Sequence, residues 1–244
     1  MKITRDLPIP KAALAIGAHP DDIEFNCGST VAKWSSNGCE FHFAILTDGS
    51  MGSWEPTDDS DNLIETRQAE ARRAANLLGV ESSNVHFLGF KDGSLEKSRE
   101  SIARVCSLIR TVKPQTIFGH DPWKMYRLHP DHRAAGFITV DAIVAAREPL
   151  YNYLQTLEHH RCDNLLLYEA QIEDHVESSK DFEEQKVESL LAHTSQLLTT
   201  MNIAGPNDLD GIERFRRWIS DNLTEKGSLA TLSGGEAFKL INQI

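Results

Sequence analysis

The run AALAIGA, Ala12 to Ala18, is apolar throughout, shows little alternation, and empties abruptly into His19-Pro20-Asp21-Asp22. Such a run reads as a strand buried on both faces, which requires a sheet with cover on either side. The rest of the chain repeats the arrangement. Gly28 to Ser36 has helical character and stops at Asn37-Gly38, a helix C-terminus signal, and Glu40 to Thr47 follows as a second strand closed by Asp48-Gly49. Asn62 to Leu78 sets Leu63, Ala71, Ala74, Ala75 and Leu78 on one stripe and ends at Gly79. Asn84 to Phe90 reads as a strand, Ser101 to Val112 as a helix before Pro114, and Gln115 to Gly119 as a strand. His132 to Arg147 is an Ala-rich helix, Asp163 to Ala170 a strand, Phe182 to His193 a helix, and the tail from Pro206 a polar and helical remainder ending in Gly234-Gly235. This alternation predicts an α/β fold with a mostly parallel sheet covered on both faces, in which function collects at the carboxyl ends of the strands.

Charge narrows the partners. With 25 Lys+Arg against 36 Asp+Glu the formal net charge is −11, which disfavours a phosphate backbone or an anionic membrane surface and favours a small-molecule substrate. At 244 residues and 40% hydrophobic composition, the chain suits one large α/β domain. Cys27, Cys39, Cys106 and Cys162 form no C-x-x-C pair, so reduced thiols are expected. The N-terminal apolar run is too short and too interrupted for a membrane span and lacks a convincing secretion signal, so the expectation is a cytoplasmic protein.

Two clusters of similar composition carry the chemistry: His19-Pro20-Asp21-Asp22 after the first strand, and His129-Pro130-Asp131-His132 after the strand ending near Gly119. His19 and Asp22 are three apart, so one helical turn beginning at Pro20 brings both side chains to one side, and the same spacing relates His129 to His132. Imidazole with carboxylate suits zinc, whose catalytic sites take three protein ligands and leave a position for water. His19, Asp22 and one of the two later histidines complete that set. Such a site needs a base and a stabiliser for an oxyanion. Asp21, beside a ligand but pointing elsewhere, is the natural base, and the spare histidine suits the oxyanion or the leaving amine. The competing assignment for Asp21 and Asp131 is N-capping of the helices that follow. Elsewhere, His42 and His86 alternate within strands, and His159, His160 and His175 read as surface.

The segments Ala18-His19-Pro20-Asp21-Asp22-Ile23-Glu24, Cys27-Gly28-Ser29-Thr30, Thr47-Asp48-Gly49, Glu65-Thr66-Arg67 with Glu70, Asp92-Gly93, His129-Pro130-Asp131-His132-Arg133 and Ala192-His193-Thr194-Ser195-Gln196 run in order over about residues 10–200. Together they resemble the LmbE-like, or PIG-L, family of metal-dependent N-acetylglucosaminyl deacetylases; Glu236-Ala237-Phe238 adds a faint match. The resemblance implies a Rossmann-like three-layer αβα sandwich, one hydrolase domain over 1–244. It implies Zn2+, or Fe2+ in its place, held by His19, Asp22 and His132, choosing His132 over His129 where spacing left both open. Asp21 would be the general base, and metal-bound water would attack the amide carbonyl of an N-acetylglucosamine-type substrate. His129 would stabilise the oxyanion or act as acid, Asp131 would orient His129, Arg67 and Asp92 would contact substrate, and His193 would support the site wall. Relatives are often oligomeric, so the resemblance also allows a homo-oligomer whose neighbour helps close the pocket.

The chain departs from the family in two places. Many relatives carry Glu in the Thr-Asp-Gly loop where this chain has Ser50-Met51, and some carry Tyr two residues before the first histidine of H-P-D-H, where it has Arg127. Lys124, Tyr126 and Arg127 are candidates to bind an anionic substituent, or else form a solvated basic patch. The loop Asp48 to Asp61, with Trp54 at its middle, is long enough to be a lid. Three other functions fit the same residues: an amidase acting on a glucosamine-containing thiol conjugate, a non-haem Fe(II) oxygenase with a two-His, one-carboxylate triad, and a sugar-binding protein with a vestigial site.

Overall fold

The structure is a computed structural model that describes residues 3–151 and 156–244. In chain order its elements are β1 (Thr4–Arg5), β2 (Ala12–Gly17), α1 (Asp22–Ser36), β3 (Glu40–Thr47), α2 (Ser60–Leu77), β4 (Val85–Phe90), α3 (Arg99–Val112), β5 (Thr116–His120), α4 (Pro130–Arg147), β6 (Asn164–Tyr168), β7 (His175–Ser178), α5 (Glu183–Leu191), α6 (Leu209–Ser228) and β8 (Gly235–Asn242). The strands form one sheet in the order β1-β7-β8-β6-β5-β2-β3-β4. All pairs are parallel except those of β8, which runs antiparallel to both β6 and β7. This is the Rossmann-like α/β sandwich.

The continuous apolar character of β2 has the anticipated cause. Ala13 and Ala15 face one layer with Val31 and Trp34 of α1 and Ala71 and Ala75 of α2, while Leu14 and Ile16 face the other with Val105 and Ile109 of α3 and Ile138 and Ala142 of α4. Both faces of the strand are thus removed from water. A third apolar cluster joins Val187 and Leu190 of α5 to Phe215, Ile219 and Leu223 of α6. From β2 the chain builds outward through β3 to β4, then returns to lay β5 on the other flank of β2 and continues to β6. The order reverses between β2 and β5, and their carboxyl ends diverge there to leave a crevice.

Three expectations are corrected. The tail is not only helical: β8 enters the sheet between β6 and β7. Its Glu236 and Lys239 mask its strand pattern, yet Glu236 is buried because Lys186 Nζ and the backbone N–H groups of Ser29 and Thr30 donate to it. His175 is not surface but 0% exposed, in β7, with Nε2 2.9 Å from Glu177 Oε1 and Nδ1 2.9 Å from Thr4 Oγ1. The helix after the first strand begins at Asp22 instead of Gly28, and it breaks at Cys27 (φ −145°, ψ 22°). The break releases the N–H groups of Ser29 and Thr30 from the helical ladder, and Glu236 caps the second half in their place. The four cysteines are free and buried. Among the described residues, no helix is long and apolar enough to cross a membrane.

Candidate metal centre

Both histidine clusters converge on the crevice between β2 and β5. Gly136 permits this on the α4 side: a Cβ there would lie 2.7 Å from His120 O and 2.9 Å from Pro122 N, so only glycine lets the helix settle against the end of β5. His19 Nδ1 lies 3.4 Å from Asp22 Oδ2, His132 Nε2 3.2 Å from Asp22 Oδ1, and His132 Nε2 3.2 Å from His19 Nδ1. Tetrahedral bonds of about 2.0–2.1 Å place ligand atoms about 3.3–3.4 Å apart, so this donor set fits zinc coordination. His129 meets the other two histidines by its ring, with centroids 4.7 Å from His19 and 4.5 Å from His132. His132 has hydrogen-bond-range contacts with both His19 and Asp22, while His19, His129 and His132, and likewise Asp22, His120 and His132, also bring ligand atoms within 4.8 Å of one another.

The far nitrogen of His19 faces two carboxylates, Asp131 Oδ2 and Asp92 Oδ1, each at 3.2 Å. Carboxylates only accept, so the Nε2 proton points at them and the Nδ1 lone pair faces the centre, the arrangement expected behind a metal-bound imidazole. Burial opposes a charge on His19, but hydrogen bonds to Asp131, Asp22 and Asp92 push its pKa up to about 12. The three carboxylates around His19 thus favour positive charge at this position. Asp22 behaves as its complement: burial disfavours its charge, yet His132 and His120 hold its pKa well below the ordinary carboxylate value.

Asp131 is a correction. It sits in the first turn of α4 and accepts from the backbone N–H groups of Gly93 (2.7 Å) and Leu95 (3.0 Å) as well as from His19. Reaching back to the 93–95 loop, it orients His19 and makes no hydrogen bond with His129. His129 itself has a lowered pKa, from burial and then from the charges of His19 and His132.

Asp21 does not cap the helix. It occupies the N-cap position with φ 105°, makes no side-chain capping bond, and has Arg67 Nη2 3.5 Å from Oδ2. This left-handed backbone is costly for a non-glycine residue and turns the side chain away from the helix end. Burial raises its pKa to about 6, against the pull of Arg67 and with a contribution from Asp22. Arg67 is buried and donates to Gly49 O (2.9 Å) and Pro20 O (2.8 Å), bracing the loops around Asp21. Asp92 shares its carboxylate between His19 and the N–H of Met51. His193 is fully buried behind the base, with Nε2 3.2 Å from Glu24 Oε1.

Two residues escaped the sequence reading. His120, the last residue of β5, places Nε2 3.2 Å from Asp22 Oδ2, and Glu169, just beyond β6, places Oε2 3.5 Å from His120 Nδ1. Both stand at strand ends flanking the switch point, the signal that could have found them. Arg127 pairs with Glu169 and lies 3.2 Å from His132 Nδ1. The suggestion that Arg127 captures an anion is therefore corrected: its charge is already answered. Tyr126 projects into solvent.

Two clefts meet at the centre, sharing Asp21, Asp22 and His132. One, about 370 Å³, is lined by Arg67, Asp92, His129 and Gln196; the other, about 750 Å³, reaches Phe25 and Trp218. Met51 and Gly52 of the long loop line the first, while Trp54 points outward, 71% exposed.

A Rossmann-like α/β sandwich with a buried His/Asp centre at its switch point defines a class of proteins, and comparison gives the particular family. Residues 14–143 match the PIG-L family, described as GlcNAc-PI de-N-acetylase, and the chain belongs to it. It is 32% identical over 198 residues to a diacetylchitobiose deacetylase of Thermococcus kodakarensis, covering 80% of this chain and 73% of that one. It is 26% identical to a probable N-acetyl-alpha-D-glucosaminyl L-malate deacetylase 2 of Bacillus anthracis, covering 84% and 90%. The structure of an N,N'-diacetylchitobiose deacetylase from Pyrococcus horikoshii superposes with a TM-score of 0.84 at 26% identity, covering 96% of this chain and 84% of that one. The chain is a hydrolase of the N-deacetylase class, which sets aside the oxygenase reading.

Proposed function

We propose that the chain removes the acetyl group from the amino nitrogen of an N-acetylglucosamine-type saccharide, with zinc held by His19, Asp22 and His132. The observation that carries this reading is the 3.2–3.4 Å mutual spacing of those three donors, with Asp21 beside them at the junction of the clefts. A divalent cation at the centre supplies Lewis acidity toward the amide carbonyl and toward water. Asp21 accepts the proton of the attacking water on its carboxylate and returns it to the leaving amine. Arg67 holds that carboxylate in place through the Pro20 and Gly49 carbonyls. His129, lining the smaller cleft, donates an N–H to the carbonyl oxygen as negative charge builds there. Asp92 keeps lone-pair capacity beyond its bonds to His19 and Met51, enough to accept from a sugar hydroxyl.

The reading treats residues 1–244 as one catalytic domain, since β8 from the end of the chain lies in the same sheet as β2. It places the enzyme in the cytoplasm, in keeping with four free thiols, and gives it a small amino-sugar substrate. The test is acetate release by zinc-reconstituted protein from a panel of N-acetylglucosaminides, with a chelator control. Chelator-sensitive acetate from any member is the expected result. Silence across the panel, with metal shown to be bound, would overturn the deacetylase reading in favour of a different acyl group.

A further inference from the structure

We infer that His120 is a positioning residue for the metal site: it occupies one carboxylate oxygen of Asp22, so that the other oxygen alone is offered to the cation. The inference rests on the reading of His19, Asp22 and His132 as the ligands. An aspartate can bind a divalent cation through one oxygen or both, and the choice fixes how many positions remain for water and substrate. In Asp22 the two oxygens are not equivalent. Oδ2 accepts from the backbone N–H of His19 at 2.8 Å and stands 3.2 Å from His120 Nε2, while Oδ1 faces His132 Nε2 at 3.2 Å. Carboxylates only accept, so His120 Nε2 carries a hydrogen directed at Oδ2. With both lone pairs of Oδ2 engaged, Oδ1 is the oxygen left for the cation, although His19 Nδ1 stands 3.4 Å from Oδ2.

The donor is rigid. His120 is the last residue of β5, paired in register with Tyr168 of β6, and is fully buried. Its ring packs against His132, stacked at 4.3 Å and 18°, and against Tyr168 at 4.7 Å and 73°. Tyr168 is itself tied to β2 through a hydrogen bond from Oη to Ile16 O. Beyond the other ring nitrogen, Glu169 Oε2 lies 3.5 Å from Nδ1. A side chain set by strand pairing and held by two neighbouring rings has lost its rotamer freedom before a cation arrives, so its hydrogen bond fixes the Asp22 carboxylate at little further entropic cost.

Asp22, His120 and His132 also bring ligand atoms within 4.8 Å of one another, so the competing role for His120 is that of a ligand in place of His19. Access separates the two roles. His19 and Asp22 line the smaller cleft, Asp22 and His132 line both clefts, and His120 lines neither. A cation that exchanges water and meets substrate has to face a cleft, as His19 does, whereas His120 ends a buried strand behind Asp22. The role that fits this place is to hold a ligand, not to bind the metal.

The experiment loads the protein with Co2+, whose visible absorption weakens as its coordination number rises, and compares wild type with His120→Gln and His120→Phe in the absence of substrate. His120→Gln retains an N–H donor near the Nε2 position, whereas His120→Phe retains the ring packing and loses the donor. Wild type and His120→Gln should give the same band positions and absorptivity. In His120→Phe, Asp22 is free to bind through both oxygens, so the absorptivity should fall by about twofold or more and the zinc affinity, read by chelator competition, by about 10–100-fold. Where His120→Phe does not fold, His120→Asn, whose shorter amide falls short of Oδ2, carries the same expectation. An unaltered spectrum in the donorless variant, or a wild-type spectrum already at the weak level of a six-coordinate ion, would overturn the inference. Loss of stoichiometric metal from His120→Gln would also overturn it, by making His120 a ligand. Neither readout depends on turnover: silence in the acetate panel beside a His120-dependent spectrum would sustain the positioning role and sink the deacetylase reading.

Discussion

Glu236 is the residue on which the fold's support of the metal centre can be tested quantitatively. Its carboxylate is 4% exposed and accepts from Ser29 N (3.0 Å), Thr30 N (2.7 Å), Thr30 Oγ1 (2.6 Å) and Lys186 Nζ (2.6 Å). Glu236→Ala strands the Lys186 ammonium, 3% exposed, with Phe25 O as its remaining acceptor. Removing one partner of a buried pair costs about 3–5 kcal/mol. The freed N–H groups of Ser29 and Thr30 would each add about 1 kcal/mol where water cannot reach them. Water entering the vacated space recovers part of both, so the net loss should be about 4 kcal/mol, a large share of the roughly 5–15 kcal/mol that stabilises a domain. The double variant Glu236→Leu with Lys186→Met removes both charges and retains apolar bulk, so it should lie within about 2 kcal/mol of wild type. Equilibrium urea unfolding followed by far-ultraviolet circular dichroism gives both numbers from the midpoint and slope. A loss under about 1 kcal/mol for the single variant, or a double variant no more stable than the single, would refute the argument that a buried pair holds β8 to the broken α1.

Three further outcomes are expected. Asp21→Asn, which suits the left-handed backbone at that position, should lower kcat by about 10²–10⁴ while zinc affinity, read by competition with a chromophoric chelator, stays within about threefold; loss of metal would refute the base assignment. Glu169→Gln removes the carboxylate behind His120 and His132 and should weaken zinc binding about 10–100-fold; an unaltered zinc affinity would show that Glu169 has no hold on the ligands. Glu177 is buried, which disfavours its charge, yet His175, Lys33 and the N–H of Leu7 hold its pKa below the ordinary value. Its ionised form therefore contributes stability that is present above the unfolded pKa of about 4.3 and is lost as pH falls through the folded value. Replacing it with Gln should flatten the acid limb of the stability profile, and an unchanged slope below about pH 4.3 would contradict the assignment.

The parts of the site legible in the sequence are those whose cause is local. A strand buried on both faces must be apolar at every position, as Ala12 to Ala18 is, and a ligand pair three residues apart announces itself wherever the next turn is helical, as at His19 and Asp22. Strand β8 was missed for the opposite reason. Its Glu236 reads as exposed until Lys186, 50 residues away, is known to lie against it. Arg127 likewise looked free to bind an anion because its neutralising partner, Glu169, stands 42 residues further on.

By itself, then, the sequence determined the alternation of buried strands with helices, the two histidine clusters at strand ends, and through its ordered motifs the family. Tertiary structure alone decided the pairings: Asp131 with His19 across 112 residues, His120 with Asp22 across 98, and His132 with both His19 and Asp22. The physical reason is the reversal of strand order at β2. Periodicity and propensity act over a few residues and set what each segment becomes, whereas the crossover that lays β5 beside β2 sets which strand ends meet, and the candidate metal centre lies where those two ends meet.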